Sequence, residues 1–248
     1  MLARSTVFIT VHKGASSFIA DGLARFLVDT EHFDSFLPVG SLRIRDQKIS
    51  DIESWPEKGR VAVRVYPAEF RDLLKDSPGF EDFAANAALV FVQRDPRDAA
   101  VSLFYSKAFS HTTNVVNKER FIQERQRMQE MTPREGVSEL TARLAIAEFS
   151  KLHQLHEEYG GLLTSYEDLV TEPASWFATL GEYAGWPTSL TRAVTEEFSD
   201  SFTPPETADP LQHKRRITPG NWREVFDDEL SAEFEAKVGP RLKASGYT

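Results

Sequence analysis

The sequence predicts an α/β fold: a single domain over residues 1–248, with a central, mostly parallel β-sheet flanked by helices. Three observations predict it. Short apolar runs recur along the chain without polar alternation, as strands covered on both faces require. Stretches with helical spacing separate or follow those runs. A chain of 248 residues with 41% hydrophobic and 11% aromatic content can bury a core of the size this architecture needs.

The strand candidates are residues 7–11, 61–66, 87–92 and 162–165. A helix is predicted over 16–29, where Phe18, Ile19, Leu23, Phe26 and Leu27 share one stripe. Another is predicted over 96–108 through Ala100, Val101, Leu103 and Phe104, with Asp95 as N-cap and Pro96 at the first helical position. Leu140, Leu144, Ala147, Leu155 and Tyr159 mark a long helix over 135–159, ended by Gly160-Gly161. Thr171, Glu172 and Pro173 open a further helix carrying Trp176, Phe177, Leu180 and Tyr183. Leu230, Phe234, Val238 and Leu242 make a last amphipathic helix. Residues 200–210, with three prolines, form a loop too short to link two domains. There is no internal repeat and no low-complexity segment.

Composition removes several classes of function. With 29 Lys+Arg against 38 Asp+Glu, the net charge of −9 argues against general nucleic-acid binding, which needs a broad positive face. The absence of cysteine removes disulfides, zinc ribbons, iron–sulfur ligation and thiol nucleophiles, and it fits a reducing compartment. The longest apolar runs are about six residues against roughly 20 for a membrane span, and residues 7–11 are too short for a signal-peptide core. A soluble, cytoplasmic protein is the expectation. Any anion site must be local, and three places suit one.

The first is Val11-His12-Lys13-Gly14-Ala15-Ser16-Ser17-Phe18, a small-residue loop between a strand and a helix. Gly14 and Ala15 let backbone amides approach a ligand, Ser16 and Ser17 add hydroxyl donors, and Lys13 adds a full charge beside a helix N-terminus. Such a loop suits phosphate or sulfate, although a capped βα turn also accounts for the residues. It is P-loop-like without being a Walker A loop, whose Lys follows the glycines. The second place is Arg94, at the carboxyl end of a strand, with Ser102 on the following helix, a pair suited to a phosphate. The third is His213-Lys214-Arg215-Arg216 before Gly220-Asn221-Trp222-Arg223, where a basic run interrupts an acidic chain.

Together these stretches resemble the cytosolic-type sulfotransferases that use 3′-phosphoadenosine 5′-phosphosulfate (PAPS), in a bacterial-like form. The segment 10–18 is similar to the family's 5′-phosphosulfate loop, T-Y-P-K-S-G-T-T-W. The segment 94–102 is similar to the 3′-phosphate motif, with Arg and Ser eight residues apart. Ser165-Tyr166-Glu167-Asp168-Leu169 looks like the Y-E-D segment, and 215–223 resembles R-K-G-x-x-G-D-W-K, with Ile217 in place of the last Gly of R-K-G and Asn221 in place of Asp.

The resemblance implies sulfuryl transfer from PAPS to a hydroxyl or amine of a small-molecule acceptor, releasing 3′,5′-adenosine bisphosphate (PAP), without a metal. Lys13 would hold the bridging and 5′-phosphate oxygens, with Gly14, Ala15, Ser16 and Ser17 as donors. Arg94, Ser102, Arg215 and Arg216 would bind the 3′-phosphate. Phe18, Tyr166 and Phe198 would form the base pocket. Fixed donors and a Lys fit the charge that builds on departing phosphate oxygens.

The family's catalytic His falls on Val65, so the general base must lie elsewhere. Asp21, eight residues after Lys13, is the first candidate, His12 the second, His111 the third and Glu69 the fourth. The alternatives to a sulfotransferase are a P-loop-type kinase, which would want Lys after the glycines and an acidic Mg²⁺ ligand, and a non-catalytic nucleotide-binding protein on the same fold. Residues 31–59, 107–134 and 199–212 carry Phe33, Phe36, Trp55, Phe109 and Phe202, candidates for an apolar acceptor pocket or for core. The sequence selects no acceptor class among phenols, alcohols, amines, sugars and carrier-bound groups, and no oligomeric state.

Overall fold

Continuous apolar runs become strands buried on both faces. The computed structural model describes residues 4–39, 55, 60–111, 118–203 and 217–247. Its strands are β1 (Thr6–Thr10), β2 (Ser35–Pro38), β3 (Val61–Val65), β4 (Ala88–Gln93) and β5 (Leu162–Ser165). They form one five-stranded sheet among the described residues, in the order β2-β3-β1-β4-β5, and each pairing is parallel. In register, Phe8 on β1 stands beside Arg64 on β3 and Val90 on β4. β1, β3 and β4 are buried along their whole length. The sequence pattern did not mark β2, which has only four residues and ends in a proline; it lies at the sheet edge, where a missing backbone N–H is tolerated.

The chain groups into two compact units, Met1–Gln93 with Lys151–Phe202, and Arg94–Ser150 with Thr203–Thr248. The first unit holds the sheet. Val7, Ile9, Val63, Val65 and Phe91 line one face and pack with Phe70, Leu73, Phe80, Leu152 and Leu155. Trp55 belongs to this core: its ring centroid lies 4.6 Å from that of Phe80 and 4.8 Å from that of Phe83, and its indole N–H donates to Ser77 Oγ at 2.8 Å. Phe33 is buried as well. With Phe202, which is buried too, three of the five aromatic candidates for an acceptor pocket therefore pack inside the protein.

The second unit is helical. Ala100, Phe104, Met128, Phe149, Leu230, Phe234 and Val238 share its core. The helix Asp228–Ala244 carries Leu230, Phe234 and Val238 at four-residue spacing, and Asp227 caps it by accepting the Leu230 N–H at 2.9 Å. The stripe over 135–159 resolves into three pieces: Pro133–Gly136, a wide π turn at Val137–Thr141, and the helix Ala142–Tyr159. Gly136 is required by contact, since a Cβ there would lie 2.1 Å from the Phe104 ring. Gly160 and Gly161, both with positive φ, end the long helix as the sequence indicates. Among the described residues no helix is long and apolar enough to cross a membrane.

Candidate functional site

In the first unit, the loop after β1 has an uncommon backbone. Lys13 and Ala15 take φ of +65° and +63°, although neither is glycine. Each left-handed L-residue costs roughly 1–2 kcal/mol, and such strain concentrates at ligand-binding loops. Left-handed residues interspersed with others turn backbone N–H groups into anion-binding concavities. Gly14 between them is needed for another reason. A Cβ there would meet Val11 Cγ2 at 2.9 Å and the Val11 carbonyl oxygen at 3.1 Å, and the Gly14 N–H donates to that oxygen. Beyond Ser16 and Ser17 the helix runs as a π turn at Phe18–Leu23 and an α segment at Ala24–Asp29. Asp21 is exposed on the π turn.

The His12 ring stacks on Tyr66 with centroids 4.0 Å apart and planes within 5°. The Tyr66 hydroxyl is 3.4 Å from Ser16 Oγ, and the Arg64 guanidinium stands 4.8 Å from the Tyr66 ring centroid. Val65, at the family's His position, is fully buried in the core. Glu69 is also buried, and its carboxylate accepts the Tyr66 N–H at 2.9 Å to cap the helix Pro67–Asp76. The sequence reading gave no role to Arg64 or Tyr66. The available signal was one Arg inside an otherwise apolar strand.

Phe18 meets Phe198 and Phe202 edge-on, with centroids 5.0 and 4.9 Å apart. Phe202, a candidate for the acceptor pocket, thus shares a cluster with the two phenylalanines named for the base pocket. Phe36 is half-buried on β2. Tyr166 is half-buried at the start of the helix Tyr166–Thr171, which Ser165 caps by accepting the Asp168 N–H.

In the second unit, Arg94 is buried and immediately follows β4 in the chain. Asp95 caps the helix Pro96–Tyr105 through the Arg97 N–H at 2.9 Å and pairs with the Arg97 guanidinium at 2.7 Å. Ser102 is half-buried on that helix. Asp98, 2% exposed, accepts backbone N–H groups of Gly220 at 2.6 Å and Trp222 at 2.8 Å. The Arg97 guanidinium lies 3.9 Å from the Trp222 ring centroid. His111 is exposed, with its ring 5.7 Å from that of Phe121. Phe109 packs partly buried against the unit's core. Arg215 and Arg216, with His213 and Lys214, lie outside the described residues. No cluster of three or more His, Asp or Glu side chains suited to a metal occurs among the described residues.

The family model of the sulfotransferase domain matches residues 79–246, well over half of the chain. The chain belongs to the sulfotransferase domain family. The match takes in Arg94, Ser102, Tyr166 and Trp222 and begins beyond the Lys13 loop. Among solved structures, mouse sulfotransferase SULT7A1 complexed with PAP is similar at a TM-score of 0.61 and 13% identity, covering 98% of this chain and 85% of that one. Retinol dehydratase with retinol and PAP is similar at 0.57 and 15% identity, covering 98% and 82%. Retinol dehydratase with androsterone and PAP gives 0.51 and 16%, covering 96% and 80%. At such identities the likeness establishes a shared fold. No curated protein matches the chain in sequence. Membership of the sulfotransferase family does not favour the kinase reading.

Proposed function

We propose that this sulfotransferase domain, acting as one catalytic domain over residues 1–248, moves the sulfuryl group of PAPS to a hydroxyl or amine of a small-molecule acceptor. The observation that carries the reading is the family match over residues 79–246. The strained loop at Lys13 and Ala15 supports it, as do the PAP complexes of the similar structures. Retinol and androsterone in two of those complexes support a small-molecule acceptor. A cytoplasmic setting agrees with a chain that has no cysteine.

The acceptor oxygen or nitrogen attacks sulfur in line. The bond from sulfur to the bridging oxygen breaks, its electron pair goes to the 5′-phosphate, and the acceptor proton goes to a base. Lys13 and the amides and hydroxyls of residues 14–17 stabilise the charge gathering on the departing phosphate. Arg94 and Ser102, with Arg215 and Arg216, hold the 3′-phosphate, and Phe18, Phe198 and Tyr166 hold the base. Asp21 leads as the general base, ahead of His12 and His111, since it lies eight residues after Lys13 on the helix leaving the loop.

Thermal-shift titration with PAP, against 5′-AMP and ATP–Mg²⁺, tests the reading. A ligand at 100 times its dissociation constant adds roughly 2.7 kcal/mol of stability. Selective stabilisation by PAP is the expected result. Stabilisation only by ATP–Mg²⁺, or by none of the three, overturns it.

A further inference from the structure

Arg64 is 7% exposed, and its Nε and Nη1 atoms are buried without a hydrogen-bond partner among the described residues. Its described interaction is with the face of Tyr66, 4.8 Å from the ring centroid. A ring face offsets only part of the cost of burying a guanidinium, so such a group calls for an anion.

Its place in the sheet says which molecule brings that anion. In the order β2-β3-β1-β4-β5, the PAPS-binding candidates follow β1 (Lys13 to Phe18), β4 (Arg94) and β5 (Tyr166). Arg64 is the penultimate residue of β3, on the other side of β1. Its head reaches the level of Tyr66, beyond the strand end, and Tyr66 touches the loop through His12 and Ser16. Parallel sheets bind ligands at their carboxyl edge. The β1, β4 and β5 ends being allotted to the nucleotide, the β3 end is left for the acceptor.

We propose that Arg64 binds an oxyanion of the acceptor, so that the enzyme prefers hydroxyl or amine acceptors carrying a carboxylate, sulfate or phosphate group. The inference deepens the proposed function and rests on it. The sulfuryl oxygens of PAPS are a second source of the same chemistry, and the test separates the two.

The experiment compares the wild-type protein with Arg64→Met and Arg64→Lys, the latter keeping a cation in case Met disturbs the strand. PAP is titrated first by thermal shift. A wild-type protein that ignores PAP fails the functional reading itself, and with it this inference. In PAP-saturated protein, benzoate and inorganic sulfate are then titrated, with methyl benzoate as the neutral control. The expected result is stabilisation by the two anions alone, with binding about 10- to 100-fold weaker in Arg64→Met and an unchanged PAP shift. Anion shifts equal in all three proteins overturn the proposal. Wild-type preference for PAPS over PAP that disappears in Arg64→Met, with anion shifts intact, assigns the oxyanion to the donor and also overturns it. A melting temperature lowered in both variants, with anion shifts intact, makes Arg64 a structural support of Tyr66 and overturns it too.

Discussion

Asp98 holds Trp222 by its backbone: the carboxylate accepts the Trp222 N–H at 2.8 Å across 124 positions of sequence, and its other oxygen accepts the Gly220 N–H at 2.6 Å. Arg97, next to Asp98 in the chain, covers the Trp222 ring. Two neighbouring side chains of one helix therefore hold the loop that follows Arg215 and Arg216 in sequence.

Replacing Asp98 by Ala strands two backbone donors, each at a cost of about 1–3 kcal/mol. Urea unfolding should show a loss on that scale, and amide exchange at Gly220 and Trp222 should accelerate. Unchanged exchange at both amides would show that the carboxylate does not hold the loop.

Lys13→Ala removes the one full charge in the loop. Turnover with labelled PAPS should fall by at least about 10²–10³-fold, the scale seen when a donor to a developing oxyanion is lost. Lys13 is half-buried, so the melting temperature should change little. Undiminished turnover would sink the mechanism.

The loop backbone predicts opposite effects at adjacent positions. Gly14→Ala drives a Cβ to 2.9 Å from Val11 Cγ2 and should destabilise by about 1–3 kcal/mol while weakening PAP binding. Ala15→Gly relieves a φ of +63° and should leave stability level or raise it by up to about 1 kcal/mol. Equal losses from both changes would contradict the observed loop conformation.

Acid sensitivity has a local source in the second unit. The Leu230 N–H, then the Arg134 guanidinium, hold the Asp227 carboxyl below its ordinary value. Hydrogen bonding to Thr132 does the same for Glu135. A depressed carboxyl contributes stability that is full above its unfolded value and lost as pH falls through the folded one. For Asp227 that window lies below about 3.8. Asp227→Asn should lower the melting temperature at neutral pH and flatten its fall below that value. A variant with the wild-type acid profile would remove Asp227 as a contributor.

What was legible in the sequence follows from how local each signal is. β4 is an uninterrupted apolar run at residues 88–92, and Gly160-Gly161 punctuates the helix before β5, so both could be read directly. β2 could not, because Ser35-Phe36-Leu37-Pro38 is too short to show a period. The π turn at Val137–Thr141 was hidden because an apolar stripe looks much the same across one widened turn. The loop's composition was legible in Lys13, Gly14 and Ser16, yet its left-handed residues were not, since Lys13 and Ala15 carry side chains that rarely adopt that backbone. The stacking of His12 on Tyr66 and the bonds from Asp98 to Gly220 and Trp222 are long-range, and no spacing rule reports them.

The π turn at Phe18–Leu23 gives the helix after the loop a place to absorb a change in chain length. Ile19, Leu23 and Leu27 are all fully buried, one every four residues from the loop onward. A π turn holds about one residue more than an α turn, so removing a single residue between Ser17 and Leu23 would let the turn tighten to α geometry while the segments on either side keep nearly the same orientation. Removing one from the α segment Ala24–Asp29 would instead swing everything before it by about 100°, Lys13 included. The wide turn should therefore accept the loss of one position more readily than the segment that follows it.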